Sequence, residues 1–281
     1  MDGGITAIQI MDSVLADPSD ATYTKIVLNK KNLWVRVKAG QDKAAAFLET
    51  HRFAALKGAS ASFTKMEGTT LNIKDKKAYS AISAIKDSMV TGRTGNVAAL
   101  NVNFASVINA GGVLEHTLSS GQKDTDGNAI NREWVASSSR FILLGEDLAT
   151  ADSLGNTANA DKIGNPDNLK FSEKMRTLFI GEDSGMHVNN FLWAYNVDTG
   201  SLSRILSCPS GAESTGLHAV DEINGWTYIM SNFQHPGDWE SPLHDIVKTT
   251  LDPLVKANYN ARFSAAVGYL TASPKQPKLS K

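Results

Sequence analysis

Two segments of this chain, 63–83 and 163–183, share one layout at an interval of 100 residues. In each, an acidic residue leads a short strand, a charged turn follows, and a second, apolar strand closes the unit. Glu67 aligns with Asp167, Leu71 with Phe171 and Tyr79 with Phe179. A looser third copy runs over 211–232, with Glu213 leading, Asn224-Gly225 as its turn and 226–230 as its second strand. A strand hairpin cannot bury its apolar face alone, so a repeated one must stack on its neighbours. Repeats of about 40–50 residues built from short strands point to propeller blades. The interval of 46 residues between Asp167 and Glu213 holds one such unit, and the first interval holds two. The second of those two includes 95–103, GNVAALNVN, read as a strand. The expected fold is therefore all-β with a few helices, a β-propeller of about four blades.

The densest stretch is 177–206. Residues 177–180 and 191–197 are strands, Asp198-Thr199-Gly200 is a turn with glycine at its left-handed position, and 202–206 is the return strand. Glu182, Asp183, His187, Asn189 and Asn190 lie on the first connection. They suit a hard cation or a polar substrate, or equally a loop whose side chains bond their own backbone. In a propeller, equivalent positions on successive blades converge on the axis. Glu67, Asp167, Glu182 and Glu213 so gathered would repel one another unless cations neutralised them, which makes them candidate metal ligands. The alternative is that each acid caps a turn.

The remaining segments carry less chemistry. Residues 24–29 and 33–38 read as a strand pair. The spacing of Ala44, Phe47, Leu48, His51 and Ala55 predicts a helix over 42–56, closed by Gly58, so that 42–58 is a helical insertion or connector. DTDGN within 121–128 opens like a calcium loop but lacks the later glutamate, and reads as a hairpin turn. Residues 149–161 read as a long loop, with Asp147, Asp152 and Asp161 solvated. His235 precedes Pro-Gly just beyond a strand end, on a rigid turn where it can bind a metal, donate a proton or contact phosphate. Residues 261–271 read as a last strand and 272–281 as a disordered basic tail.

Composition excludes several classes. A net charge of -1 gives no field to draw nucleic acid. Cys208 is the single cysteine, so there is no internal disulfide and no cysteine-rich metal site. No run approaches a membrane span, the first residues do not read as a signal peptide, and Walker, dinucleotide and Gly-x-Ser-x-Gly motifs are missing.

Taken together, FTKMEG (63–68), NPDNLKF (165–171), FIGEDSGMHVNNFLWAYN (179–196), GAESTG (211–216), FQHPG (233–237) and AAVGYLT near the end resemble the PhoX-type alkaline phosphatase family over roughly 49–271. The resemblance implies a six-bladed propeller, an axial cluster of calcium and iron, hydrolysis of phosphate monoesters, and export to the bacterial periplasm or beyond. Glu67, Glu182 and Glu213 fall on acidic positions of the family motifs and become the first metal-ligand candidates, followed by Asp167 and Asp183. His235 falls on the histidine of the last motif and is the candidate catalytic residue. Two upstream family segments, one with an iron-binding cysteine and one with paired glutamates, have no counterpart here. The chain, 1–281, therefore reads as a single propeller domain shortened at its N-terminus, with exposed edges open to self-association. Its small-molecule partner would be a phosphate ester. The competing readings are a non-catalytic calcium-binding propeller acting as an interaction module, and a lactonase-like propeller hydrolase with one calcium.

Overall fold

The computed structural model describes residues 6–59, 62–124, 126–259 and 264–272. It is mostly β, with four antiparallel sheets of three or four strands and few helices. The sequence reads as one domain, whereas the chain divides into two compact units. The first holds 1–64, 86–107 and 123–129; the second holds 65–85, 108–122 and 130–281.

The first unit opens with a short helix, α1 (Ala7–Ile10), and a sheet of β1 (Met11–Val14), β2 (Thr24–Leu28) and β3 (Lys31–Val37) in the order β1-β3-β2. The strand pair expected at 24–38 is present. The expected single helix is two, α2 (Asp42–Leu48) and α3 (Thr50–Leu56), because Glu49 leaves helical geometry at φ -124, ψ 35. The break turns Ala45 and Phe53 toward one core with Ile10, Met11, Ile26 and Val35. Residues 42–58 thus complete a core of their own unit, and Gly58, at φ 86, ends α3 as its spacing predicts. Segment 95–103, expected as a strand, is instead a loop with a 3₁₀ turn at Ala98–Leu100. Asn96 bonds the carbonyls of Ser88 and Val102, and Asn103 bonds that of Ala98. Asparagine side chains here offer the backbone an alternative to a ladder.

The second unit is three sheets. The first is β4 (Met66–Asn72), β5 (Lys77–Ile82), β6 (Gly112–Ser119) and β7 (Val135–Leu144), paired in chain order. The second is β8 (Pro166–Ser172), β9 (Thr177–Glu182), β10 (Phe191–Asn196) and β11 (Leu202–Ser207). The third is β12 (Glu213–Ile223), β13 (Trp226–Gln234) and β14 (Ala266–Ala272), with α4 (Asp245–Asn258) between the last two. The first interval of the repeat therefore holds one sheet, not two, because 86–107 leaves it for the other unit. The unit has three repeats where the intervals suggest about four. The alignment of the first two is otherwise reproduced residue for residue: β4 and β8, and β5 and β9, start 100 residues apart. Both first strands carry a bulge at the same place, after Met66 and after Pro166.

The inner strands of the second sheet, β9 and the first half of β10, are buried on both faces. Leu178, Ile180, Phe191 and Trp193 face Tyr79, Ala81 and Val113 of the first sheet. Phe179 and Leu192 face Ala219, Ile229 and Leu270 of the third. A strand covered on both sides needs an unbroken apolar run rather than alternation, which is what 177–180 and 191–193 supply. The Asn224-Gly225 turn is as expected, with φ 51 and 85 at its two residues, the pattern of a tight hairpin turn. The 121–128 turn closes through a Lys123–Ala129 bridge, with Asp124 accepting from the Asn128 amide. Asp147 and Asp152 are not merely solvated. The first accepts from the Asn109 and Ala110 amides, and the second from those of Leu154, Gly155 and Asn156, so both pin loops. Asp161 is exposed and pairs with Arg204. The last strand starts at Ala266; residues 260–263, which include the start of the expected strand, and 273–281, most of the expected tail, lie outside the described residues. Among the described residues no helix is long and apolar enough to cross a membrane.

Candidate metal centre

The leading strands β4, β8 and β12 lie side by side, β8 in the middle. Stacking therefore brings their starting ends together. Glu67 sits in the bulge of β4 and Asp167 in the equivalent bulge of β8, and Glu213 is the first residue of β12. Asp183 follows the last residue of β9. Asp167, Asp183 and Glu213 each offer a carboxylate oxygen, and the three oxygens lie within 4.8 Å of one another. Glu67 joins through its field, as one of the charges that raise the pKa of Asp167. At such separations each pair of unit charges repels by about 1 kcal/mol in water and about 3 kcal/mol at an effective dielectric of about 20.

The cost is visible in the titration of the group. Partial burial, then the charges of Glu67, Asp183 and Glu213, push the Asp167 carboxyl up to about 6. Asp183, though its side chain remains exposed, is raised as well, first by crowding that removes part of its hydration, then by Glu213; Lys65 and His235 oppose the rise, and Glu240 adds to it. Lys65, two residues before Glu67, is the lysine that counters both aspartates, and it holds Glu67 at 3.3 Å. The sequence signal for Lys65 is its place in FTKMEG, two residues before the first acid of the repeat. His235 follows β13 with φ 45. Its Nδ1 lies 2.9 Å from the Gly211 carbonyl and its Nε2 3.5 Å from Glu213 Oε2. The carbonyl can only accept, so Nδ1 carries a proton and Nε2 is turned to Glu213.

Glu182 is not brought to this cluster. It is 0% exposed, and its oxygens accept from Trp193 Nε1 at 2.6 Å, the Gly164 amide at 2.8 Å and the Phe191 amide at 2.9 Å. His187 Nδ1 stands 3.0 Å from it. Four partners fill the acceptor capacity that a metal would need. The rest of its loop turns the same way: Asn190 bonds the amide and the carbonyl of Ser184, and Asn189 bonds the Cys208 carbonyl. Of the five polar residues on this connection, only Asp183 joins the acidic strand ends.

The donor set fits calcium, a hard cation that takes several carboxylate oxygens in flexible geometry. Asp167, Asp183 and Glu213 would hold it, with Glu67 beside them. Cys208, the single cysteine, is 1% exposed, burial pushes its thiol up to about 12, and it is not among the residues grouped here, so this cluster carries no sulfur ligand. Compared with protein-family models, with curated proteins and with solved structures, the chain matches none.

Proposed function

We propose that the three stacked sheets are blades of a β-propeller, and that their acidic strand ends form the calcium site of a PhoX-type phosphatase acting on phosphate monoesters. The observation that carries this reading is the gathering of Asp167, Asp183 and Glu213 from three separate segments into one cluster of carboxylates, with oxygens within 4.8 Å. Such a cluster destabilises the fold unless a cation offsets it, so it is a costly arrangement to build for structure alone. Bound calcium would neutralise charge on the phosphoryl group and orient the ester. The chain's own residues do the remainder. Lys65 offers an ammonium to a phosphate oxygen once its acidic neighbours are neutralised. In its imidazolium form, with Nδ1–H held on the Gly211 carbonyl and Nε2–H facing Glu213, His235 would give the Nε2 proton to the departing alkoxide as the ester P–O bond breaks, and would be reprotonated by the water that adds to phosphorus. The same resemblance assigns the protein to the periplasm or the exterior, where calcium is plentiful.

A second reading, a calcium-binding propeller without catalysis, is favoured by the internal engagement of Glu182 and the protonated, buried Cys208. Metal analysis of protein purified without chelators, with p-nitrophenyl phosphate turnover on the same sample, separates the two. Calcium with turnover supports the phosphatase. Calcium without turnover supports the binding module. Absence of bound calcium in both native and calcium-dialysed samples removes both.

A further inference from the structure

Each of the first two sheets of the second unit has four strands and the third has three. β14 pairs with β13 over seven consecutive positions, from Thr227↔Ala272 to Phe233↔Ala266, without a register shift. Among the described residues no strand pairs with its other edge. An edge of this kind exposes a row of unpaired amides and carbonyls, and proteins blunt such edges with charges, bulges or proline. The other outer strands of this unit do so. β7 carries Arg140 and pairs with two register shifts. β11 carries Arg204 and pairs with one. β14, AVGYLTA, has no charge, no proline and no bulge. It also exposes Val267 at 74% and Tyr269 at 62%.

We infer that β14 is a self-association edge, where a second copy of this chain adds its own β14 antiparallel and joins two three-stranded sheets into one of six strands. The geometry of a two-fold axis fixes the register. Residues directly opposite in an antiparallel pair point to the same face, so the axis must set one residue against itself. Full pairing of 266–272 puts that residue at its midpoint, Tyr269. Val267 then faces the partner copy's Thr271, and Gly268 its Leu270. No like charges meet, because β14 has none, and a net charge of -1 per chain sets little repulsion between copies. Tyr269 already stands edge-on to Tyr228 at 5.3 Å, so the pairing extends a row of aromatic rings across the axis. The chain's own last residues are a poorer occupant. Pro274 and Pro277 lack the amide protons that a ladder strand must give. The inference stands apart from the proposed function, since it uses none of the acidic residues.

The test is sedimentation velocity on the full chain over about 1–100 μM, the range in which small interfaces associate. A concentration-dependent dimer is expected. Val267→Lys places a charge at an exposed edge position, leaves the fold intact by circular dichroism, and should weaken the dimer at least tenfold. Tyr269→Cys should form a disulfide-linked dimer on mild oxidation, since Cys208 is buried, whereas Ser203→Cys on β11 should not. A monomer throughout the range overturns the inference. So does a dimer that Val267→Lys leaves unchanged, or one in which Tyr269→Cys fails to cross-link.

Discussion

Asp167→Asn removes one charge from the acidic strand ends while keeping a side chain of nearly the same shape. In the folded chain the Asp167 carboxyl titrates at about 6 against a reference of 3.8. The folded value lies above the unfolded one, so the folded chain holds this proton more tightly. The stabilising effect is complete below about pH 4 and is lost as pH rises through about 6. A shift of this size corresponds to about 3 kcal/mol at most. Asp167 is only partly buried, and solvent screening reduces that to about 1–2 kcal/mol. With a chelator present, Asp167→Asn should therefore raise the unfolding free energy at pH 8 by about 1–2 kcal/mol and leave it unchanged at pH 4. If calcium binds the cluster, it should reverse the ranking: at a hundredfold excess over its Kd a ligand stabilises the native protein by about 2.7 kcal/mol, and the variant should gain less. Urea unfolding at both pH values, with chelator and with calcium, measures all four quantities. If Asp167→Asn destabilises the chelated protein at pH 8, the carboxylates are not in repulsive contact. If calcium stabilises variant and native protein equally, the cluster is not where calcium binds.

Three further outcomes follow from the same structure. Glu182→Ala strands four buried partners and should cost about 3–5 kcal/mol in urea unfolding, with calcium content per folded molecule unchanged; loss of calcium from the folded variant would make Glu182 a ligand after all. Cys208 should resist iodoacetamide at pH 8 in the folded protein and react fully in urea, because its thiol is buried and titrates near 12; rapid labelling of the native chain would contradict that burial. Gly111 stands at φ 70, where a Cβ would lie 2.2 Å from the Ile82 carbonyl oxygen, so Gly111→Ala should cost more than about 2 kcal/mol by thermal unfolding; a near-neutral result would mean that β5 and the loop before β6 do not approach so closely.

The repeat was legible because both copies must meet the same constraints. Glu67 and Asp167 sit in matching bulges, Tyr79 and Phe179 on matching second strands, and a bulge or a buried aromatic leaves its mark at a fixed position. The tight turns at Asn224-Gly225 and Gly200 were legible for a similar reason, since left-handed backbone selects few residue types. Segment 95–103 was misleading because its apolar alternation resembles a strand while its asparagines bond the backbone instead. Glu182 and Asp183 show the limit most sharply. They are adjacent acids on one connection: alternation sends them to opposite faces, but nothing local says which face holds the other acids.

The sequence by itself determined that this chain builds short antiparallel hairpins, that they recur, and that each recurrence begins with an acid. Those properties depend on neighbours within a few residues, or on a period the chain repeats. The tertiary structure alone decided which acids meet. Side chains alternate across a strand end, so Glu182 turns into the dry space beside Trp193 while Asp183, one position on, turns to Asp167 and Glu213. It also decided that 86–107 leaves the repeat, and that β14 ends the third sheet with an open, uncharged edge. Both depend on which distant segments supply the covering surface, and hydrophobic burial is non-directional: it sets how much must be covered, not by what.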